Sequence, residues 1–326
     1  MSSNLPESPF PAPSWSEGLV ATYLNNPEPG PRAGEWLLSA ALLCATIVST
    51  SYAGLFYRVG LDFFTAFRVF ALRPGLILQG LPYSIPLVSI LLAHEFGHFL
   101  ACRYYGMRCT PPYFLPVPVT ILGTFGAFIK IKSHFLHKRA LFDIGIAGPL
   151  AGFIFTLPTL WIGISLSTLV PKGAFGAGQP MFGEPLIFRL LGAVILGYSP
   201  DRHELVAHPM AMAAWVGLLA TSLNLLPIWQ LDGGHIAYAI LGRSLQKRVS
   251  VFCVAALFLM SFIEWPPSVS LLFAATLLLA IGARLRFFHP PTLMEDEKLG
   301  PGRLILASMA LLILILSFTP VPVAFS

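Results

Sequence analysis

The chain has 326 residues, 56% of them hydrophobic and only 11% charged, where an ordinary soluble domain carries about 25% charged residues. With a mean hydropathy of +0.75, it cannot cover a water-facing globule. That excludes a soluble multidomain enzyme, a disordered protein and a nucleic-acid reader, and makes a polytopic membrane protein the expectation. The net charge of +5 is accordingly read as basic loops on one side of a membrane, with no nucleic acid as partner.

Residues 1–34 form a Pro-rich tail with little to bury. No basic segment leads into a short apolar core and a cleavage site, so the first span is expected to serve for insertion. Apolar runs follow at 36–57, 81–104, 142–169, 207–226, 249–263, 268–281 and 304–318. They predict six or seven membrane spans, because 249–263 and 268–281 read either as two short spans or as one helix broken at Glu264-Trp265-Pro266-Pro267. Segment 61–73 mixes aromatics with Arg68 and Arg73, the pattern of an interfacial amphipathic helix. The stretch 171–205 reads as a long loop with one apolar patch at 186–197.

Basic residues gather after the second run (Arg103, Arg108, Lys130, Lys132, Lys138, Arg139), before the fifth (Arg243, Lys247, Arg248) and after the sixth (Arg284, Arg286). If the spans alternate, these loops share one face, and the positive-inside rule makes it cytoplasmic. Arg58, Arg68 and Arg73 fall on the opposite face and conflict with that orientation. Cys44, Cys102, Cys109 and Cys253 form no CxxC, so neither a disulfide framework nor a thiolate zinc site is implied.

The second apolar run contains His94-Glu95-Phe96-Gly97-His98. Histidines at i and i+4 project from one helix face and can share one metal ion. Glu95, one step round the helix, can take a proton from a metal-activated water. Ionisable groups inside an apolar span are costly and functional by default; the bland alternative is a buried polar cluster joining helices. The similar run from His203-Glu204 to His208 spaces its histidines five apart, which turns them about 140° from each other on a helix. These are read as surface or interfacial residues.

Two histidines need a third protein ligand and an open position for water. Candidates stand in Asn224-Leu-Leu-Pro-Ile-Trp-Gln-Leu-Asp232-Gly233-Gly234-His235, where Pro227 ends or breaks the fourth run. Asp232 serves either as a ligand or as the N-cap of the next helix. His235 is the rival ligand, and spacing alone does not separate the two.

The pair HEFGH and NLLPIWQLDGG, each in its own apolar segment, resembles the site-2 protease family of intramembrane zinc metalloproteases, peptidase family M50. The resemblance implies that His94, His98 and Asp232 hold one Zn2+ per chain and that Glu95 is the general base. It implies a catalytic role for Asn224 toward substrate or the developing oxyanion, where helix–helix hydrogen bonding is the alternative. It also implies a re-entrant β-hairpin at 122–129, which the residues alone would equally allow to be an ordinary strand or loop. Gly148 and Gly152 form a GxxxG that suits close packing against the catalytic helix without an enzymatic role. No long polar insertion separates the two motifs, so the chain looks like the branch without a PDZ domain.

The expectation is therefore an all-α, polytopic transmembrane protein of six or seven spans. It divides into the tail 1–34 and a membrane-embedded domain 35–326, whose catalytic core covers about 81–242 with further spans at 249–318. Its expected activity is that of a zinc metalloendopeptidase cutting transmembrane protein substrates in or near their spans, amid membrane lipid. A multi-pass bacterial inner-membrane location is preferred over an organelle, with the site toward the cytoplasm. Other readings are a metal-binding transporter, which leaves Glu95 unexplained, and a catalytically inactive membrane scaffold. A prenyl-protein protease would pair the first motif with a different second one. The sequence sets no oligomeric state.

Overall fold

The computed structural model describes residues 30–59, 65, 68, 73–135, 137–174, 180–262, 268–284, 291–292 and 298–325. The tail 1–29, most of the amphipathic segment 61–73 and the 264–267 break lie outside the described residues.

Helix α1 (Ala33–Val59) leads to a 3-10 segment (Pro74–Gly80) that runs directly into α2 (Leu81–Tyr104). Strands β1 (Tyr113–Pro116) and β2 (Thr124–Phe128) follow, then α3 (Lys138–Ser165). Next come β3 (Thr168–Pro171), β4 (Pro180–Phe182), α4 (Leu186–Leu196), β5 (His203–Val206) and α5 (Pro209–Leu225). Helices α6 (Asp232–Met260), α7 (Val269–Arg284) and α8 (Pro301–Ser317) precede a last strand, β6 (Val323–Phe325). The strands form three two-stranded antiparallel pairs: β1 with β2, β3 with β5, and β4 with β6. The stretch 171–205 is thus not a plain loop, since it ends in β5 and holds α4 on its apolar patch.

Helix α3 lies at the centre, against α2, α5 and α6. Glycines allow that closeness. A β-carbon on Gly97 would stand 2.4 Å from the Ala147 carbonyl oxygen, and one on Gly163 would stand 2.4 Å from the Ala211 nitrogen. Small residues at such crossings let backbones touch where no hydrophobic force separates helix from lipid. Helix α1 is tied on by buried hydroxyls. Thr50 and Ser84 share a 2.6 Å hydrogen bond, and Ser49 donates to the Gly123 carbonyl at 2.7 Å. Outward-facing side chains stay apolar, with Leu37 74%, Phe252 72% and Ile305 64% exposed. An apolar exterior of this extent suits lipid as solvent.

The span count corrects the sequence expectation. Among the described residues, three helices are long and apolar enough to cross a membrane: Ala33–Tyr57, Gly75–Tyr104 and Lys138–Ser165. Six or seven such helices are not present among the described residues. The run 207–226 becomes α5, which His208 caps and Leu226 ends. Its 17 residues reach about 26 Å at 1.5 Å per residue, short of an apolar core about 30 Å thick. Helix α8 has the same length, and α7 has 16 residues. The run 249–263 lies largely within α6, which holds Arg243, Lys247 and Arg248 inside the helix instead of in a preceding loop. Composition marks where apolar residues run; caps and kinks decide where a helix stops. The expected re-entrant hairpin is withdrawn too, because β1 and β2 form only a short pair with an irregular register between Phe114 and Pro116. The cytoplasmic placement of the site depended on alternating spans and falls with them.

Candidate metal centre

Helix α2 continues unbroken through His94, Glu95 and His98, and all three side chains are buried. The i, i+4 spacing sets the imidazoles one above the other, with ring centroids 4.9 Å apart and Nε2 atoms 3.2 Å apart. The third group arrives from α6. Asp232 is its first residue, following the N-cap Leu231, and its carboxylate points at the histidines. Asp232 Oδ2 lies 3.2 Å from His94 Nε2, and Oδ1 lies 3.2 Å from His98 Nε2. One ligand atom from each of the three residues falls within 4.8 Å of the other two.

The chemistry of this donor set calls for a cation. His98 Nδ1 is 2.6 Å from the Ile144 carbonyl oxygen of α3. A carbonyl only accepts, so Nδ1 carries the proton and Nε2 of a neutral ring presents a lone pair to the cluster. That lone pair faces a second imidazole nitrogen and a carboxylate, while the buried Oδ2 of Asp232 accepts no hydrogen bond among the described residues. Such a crowd of electron pairs is unfavourable away from water unless positive charge sits between them. Zinc bonds of 2.0–2.1 Å in a tetrahedron set neighbouring ligand atoms about 3.3–3.4 Å apart, close to the spacings found. The residues present therefore fit a zinc ion.

The remaining sequence candidates are near but differently placed. Asn224, in the last turn of α5, holds its Nδ2 atom 3.3 Å from His94 Nε2. Glu95 lines the same cavity, about 220 Å³, with Asn224, Gln230 and the β2-side residues Phe128 and Ile129. The Ile129 backbone N–H faces its carboxylate. His235 also borders this cavity and stacks near Phe135, but the three converging ligand atoms do not include it.

Sequence reasoning missed the support given by α3. A β-carbon on Gly148 would lie 2.0 Å from His98 Nε2, and one on Gly152 would lie 3.1 Å from His94 Cβ. The GxxxG signal was visible as close packing; its contact with the ligands themselves was not. The Ile144 carbonyl that sets the His98 tautomer has no signal in sequence, because any residue supplies a carbonyl.

Comparison with known proteins agrees with this geometry. Two relatives carry the name "Probable zinc metalloprotease EGY1, chloroplastic". The one from Oryza sativa subsp. japonica is 32% identical over 254 residues, 73% of this chain and 43% of its own length. The one from Arabidopsis thaliana is 30% identical over 245 residues, 74% of this chain and 43% of its own. "Probable zinc metalloprotease EGY2, chloroplastic" of Oryza sativa subsp. indica is 32% identical over 185 residues, 56% of this chain and 33% of its own length. The chain thus spans less than half the length of these relatives. Their chloroplastic designation overturns the preference for a bacterial inner membrane. The model of peptidase family M50 matches residues 82–263, more than half of the chain, and takes in both α2 and the Asp232 turn. The chain belongs to peptidase family M50.

Proposed function

We propose that the chain is an intramembrane zinc metallopeptidase that hydrolyses a peptide bond in or beside a transmembrane segment of another membrane protein. One observation carries the reading. Ligand atoms from α2 and from α6, more than a hundred residues apart, converge within 4.8 Å beside a buried glutamate. His94, His98 and Asp232 would hold one zinc ion per chain. When bound, zinc supplies a Lewis acid that lowers the pKa of water to near neutrality.

Glu95 stands in the same cavity as the ligands and accepts the proton that water gives up on attacking the substrate carbonyl. It then returns that proton to the leaving amine. Asn224 extends its side chain to the edge of the cluster, where its amide N–H can donate to the substrate oxygen as charge gathers on it. The apolar walls formed by Phe128, Ile129 and Ile144 limit water and strengthen each of these interactions. The tail 1–34 precedes a membrane-embedded domain, 35–326, whose catalytic core covers about 81–242 and whose C-terminal helices lie within 249–318.

The test uses the full chain in mild detergent with a panel of single-span peptides, the products being identified by mass spectrometry. Cleavage should vanish with chelator, return with zinc and be absent in Glu95→Gln. Products that persist both in chelator and in Glu95→Gln would contradict the mechanism.

A further inference from the structure

Asp232 stands at the very start of α6, so its position depends on the loop 226–231 that delivers it. That loop contains Trp229 at φ +47, the left-handed region that a residue with a β-carbon occupies only when its surroundings hold it there. Those surroundings include two side chains from the far half of α6, beside backbone bonds within the loop from the Ile228 N–H to the Leu226 carbonyl and from the Leu231 N–H to the Ile228 carbonyl. Ser250 Oγ accepts from the Trp229 N–H at 3.1 Å and donates to the Pro227 carbonyl at 2.9 Å. Gln246 Nε2 donates to the Trp229 carbonyl at 3.3 Å and to Ser250 Oγ at 2.9 Å.

Every hydrogen-bonding position of the Ser250 hydroxyl is used, as are both amide protons of Gln246. Both residues are fully buried. The near side of the loop is closed as well. A β-carbon on Gly233 would stand 1.9 Å from the Leu225 carbonyl oxygen, and one on Gly234 would stand 2.3 Å from that of Trp229. Gly242, at φ +73, interrupts the helix between the Asp232 end and the two tethering side chains.

We infer that Gln246 and Ser250 are positioning residues for the metal centre: they fix the 226–231 loop and thereby set where the Asp232 carboxylate meets the two histidines. They touch neither the ligand atoms nor the cavity. This inference rests on Asp232 being a metal ligand, as proposed above. Residues that orient a ligand from behind typically change metal affinity 10–100-fold when replaced, and that range is the expectation for Ser250→Ala.

The experiment measures zinc affinity of the full chain in detergent by chelator competition, alongside the visible spectrum of the cobalt-substituted protein. Ser250→Ala should weaken zinc roughly 10–100-fold and shift the cobalt bands, because the carboxylate moves. Ser250→Thr, which keeps the hydroxyl, should restore both. Gln246→Met should weaken zinc less, and it carries the same test if Ser250→Ala does not fold. Ser261→Ala is the control, since it removes another fully buried hydroxyl from the α6 C-terminus, whose bond among the described residues is local, to the Phe258 carbonyl. It should lower thermal stability without changing zinc affinity or spectrum. Ser250→Ala and Gln246→Met with wild-type affinity and spectrum, whatever their stability, would overturn the inference and leave the Asp232 site intact. A folded wild-type chain that takes up no zinc would instead overturn the ligand assignment, and this inference with it.

Discussion

Two stretches of this chain hold histidine, glutamate and histidine in that order, and they have different fates. His94, Glu95 and His98 are buried on one continuous helix, with ligand atoms turned toward a distant aspartate. His203 and Glu204 open strand β5, His208 caps the helix that follows, and all three bond to backbone donors. His203 Nδ1 accepts from the Ser199 N–H, Glu204 Oε1 accepts from the Gly173 N–H, and His208 Nδ1 caps α5 by accepting from the Met210 N–H. The residue types are the same. Spacing decides whether the side chains converge, and the neighbouring elements decide whether they find backbone partners or one another. A metal centre needs groups with no better partner close by.

The largest expected contrast is in activity. Glu95→Gln should keep its zinc and lose peptidase activity by about 10²–10⁴-fold, the usual contribution of a positioned general base. Glu204→Gln should leave activity where it was. Equal losses in both variants would erase the distinction between the two stretches.

Next in size is a substitution on α3. Gly148→Ala puts a methyl group 2.0 Å from His98 Nε2, where backbone and ligand cannot both stay in place. Zinc affinity should fall about 10–100-fold, as when a partner behind a ligand is lost. Gly34→Ala, which meets open space, should change nothing. Zinc titration of both variants checks the contrast.

Smaller still is the structural role assigned to the second stretch. His208→Ala removes the cap of α5 and should cost about 1 kcal/mol of stability, read as a lower melting temperature with unchanged zinc content. The smallest effect concerns the tie between α8 and the core. Arg303 pairs with Asp143 at 2.6 Å, and Tyr105 donates to the same carboxylate. This pair is partly exposed, so Arg303→Met should cost no more than about 1 kcal/mol and leave zinc untouched. Burial and the Asp143 carboxylate push Tyr105 up to about 12, above its free value near 10. Its contribution is therefore full below about pH 10 and is lost as pH rises through 12. Melting curves across that window should show a decline that Tyr105→Phe makes shallower.

The site was more legible than the fold around it, for reasons visible in particular residues. His94 and His98 announce themselves because the helical repeat converts four-residue spacing into proximity. Asp232 was readable as one of two candidates, because a proline and two glycines mark a turn but do not say which side chain faces inward. Ile144, Gly148, Gln246 and Ser250 were not readable as parts of a metal centre. Their effect passes through a backbone carbonyl, an absent methyl group and a loop conformation, none of which leaves a pattern in one sequence. The span count failed for a related reason. An apolar run does not state where its helix begins or ends: His208 and Leu226 shorten the helix within 207–226, and the helix holding most of 249–263 starts back at Asp232 and kinks at Gly242. The short strands β3 and β5 went unforeseen because they pair across some thirty residues that carry no alternating pattern.

The most direct test of the account is the zinc content of the purified chain beside His94→Ala, Asp232→Ala and His208→Ala, all in the same detergent. The account predicts about one zinc in the wild type, none in His94→Ala or Asp232→Ala, and a full complement in His208→Ala. Zinc retained by a folded Asp232→Ala, or lost with His208→Ala, would contradict it.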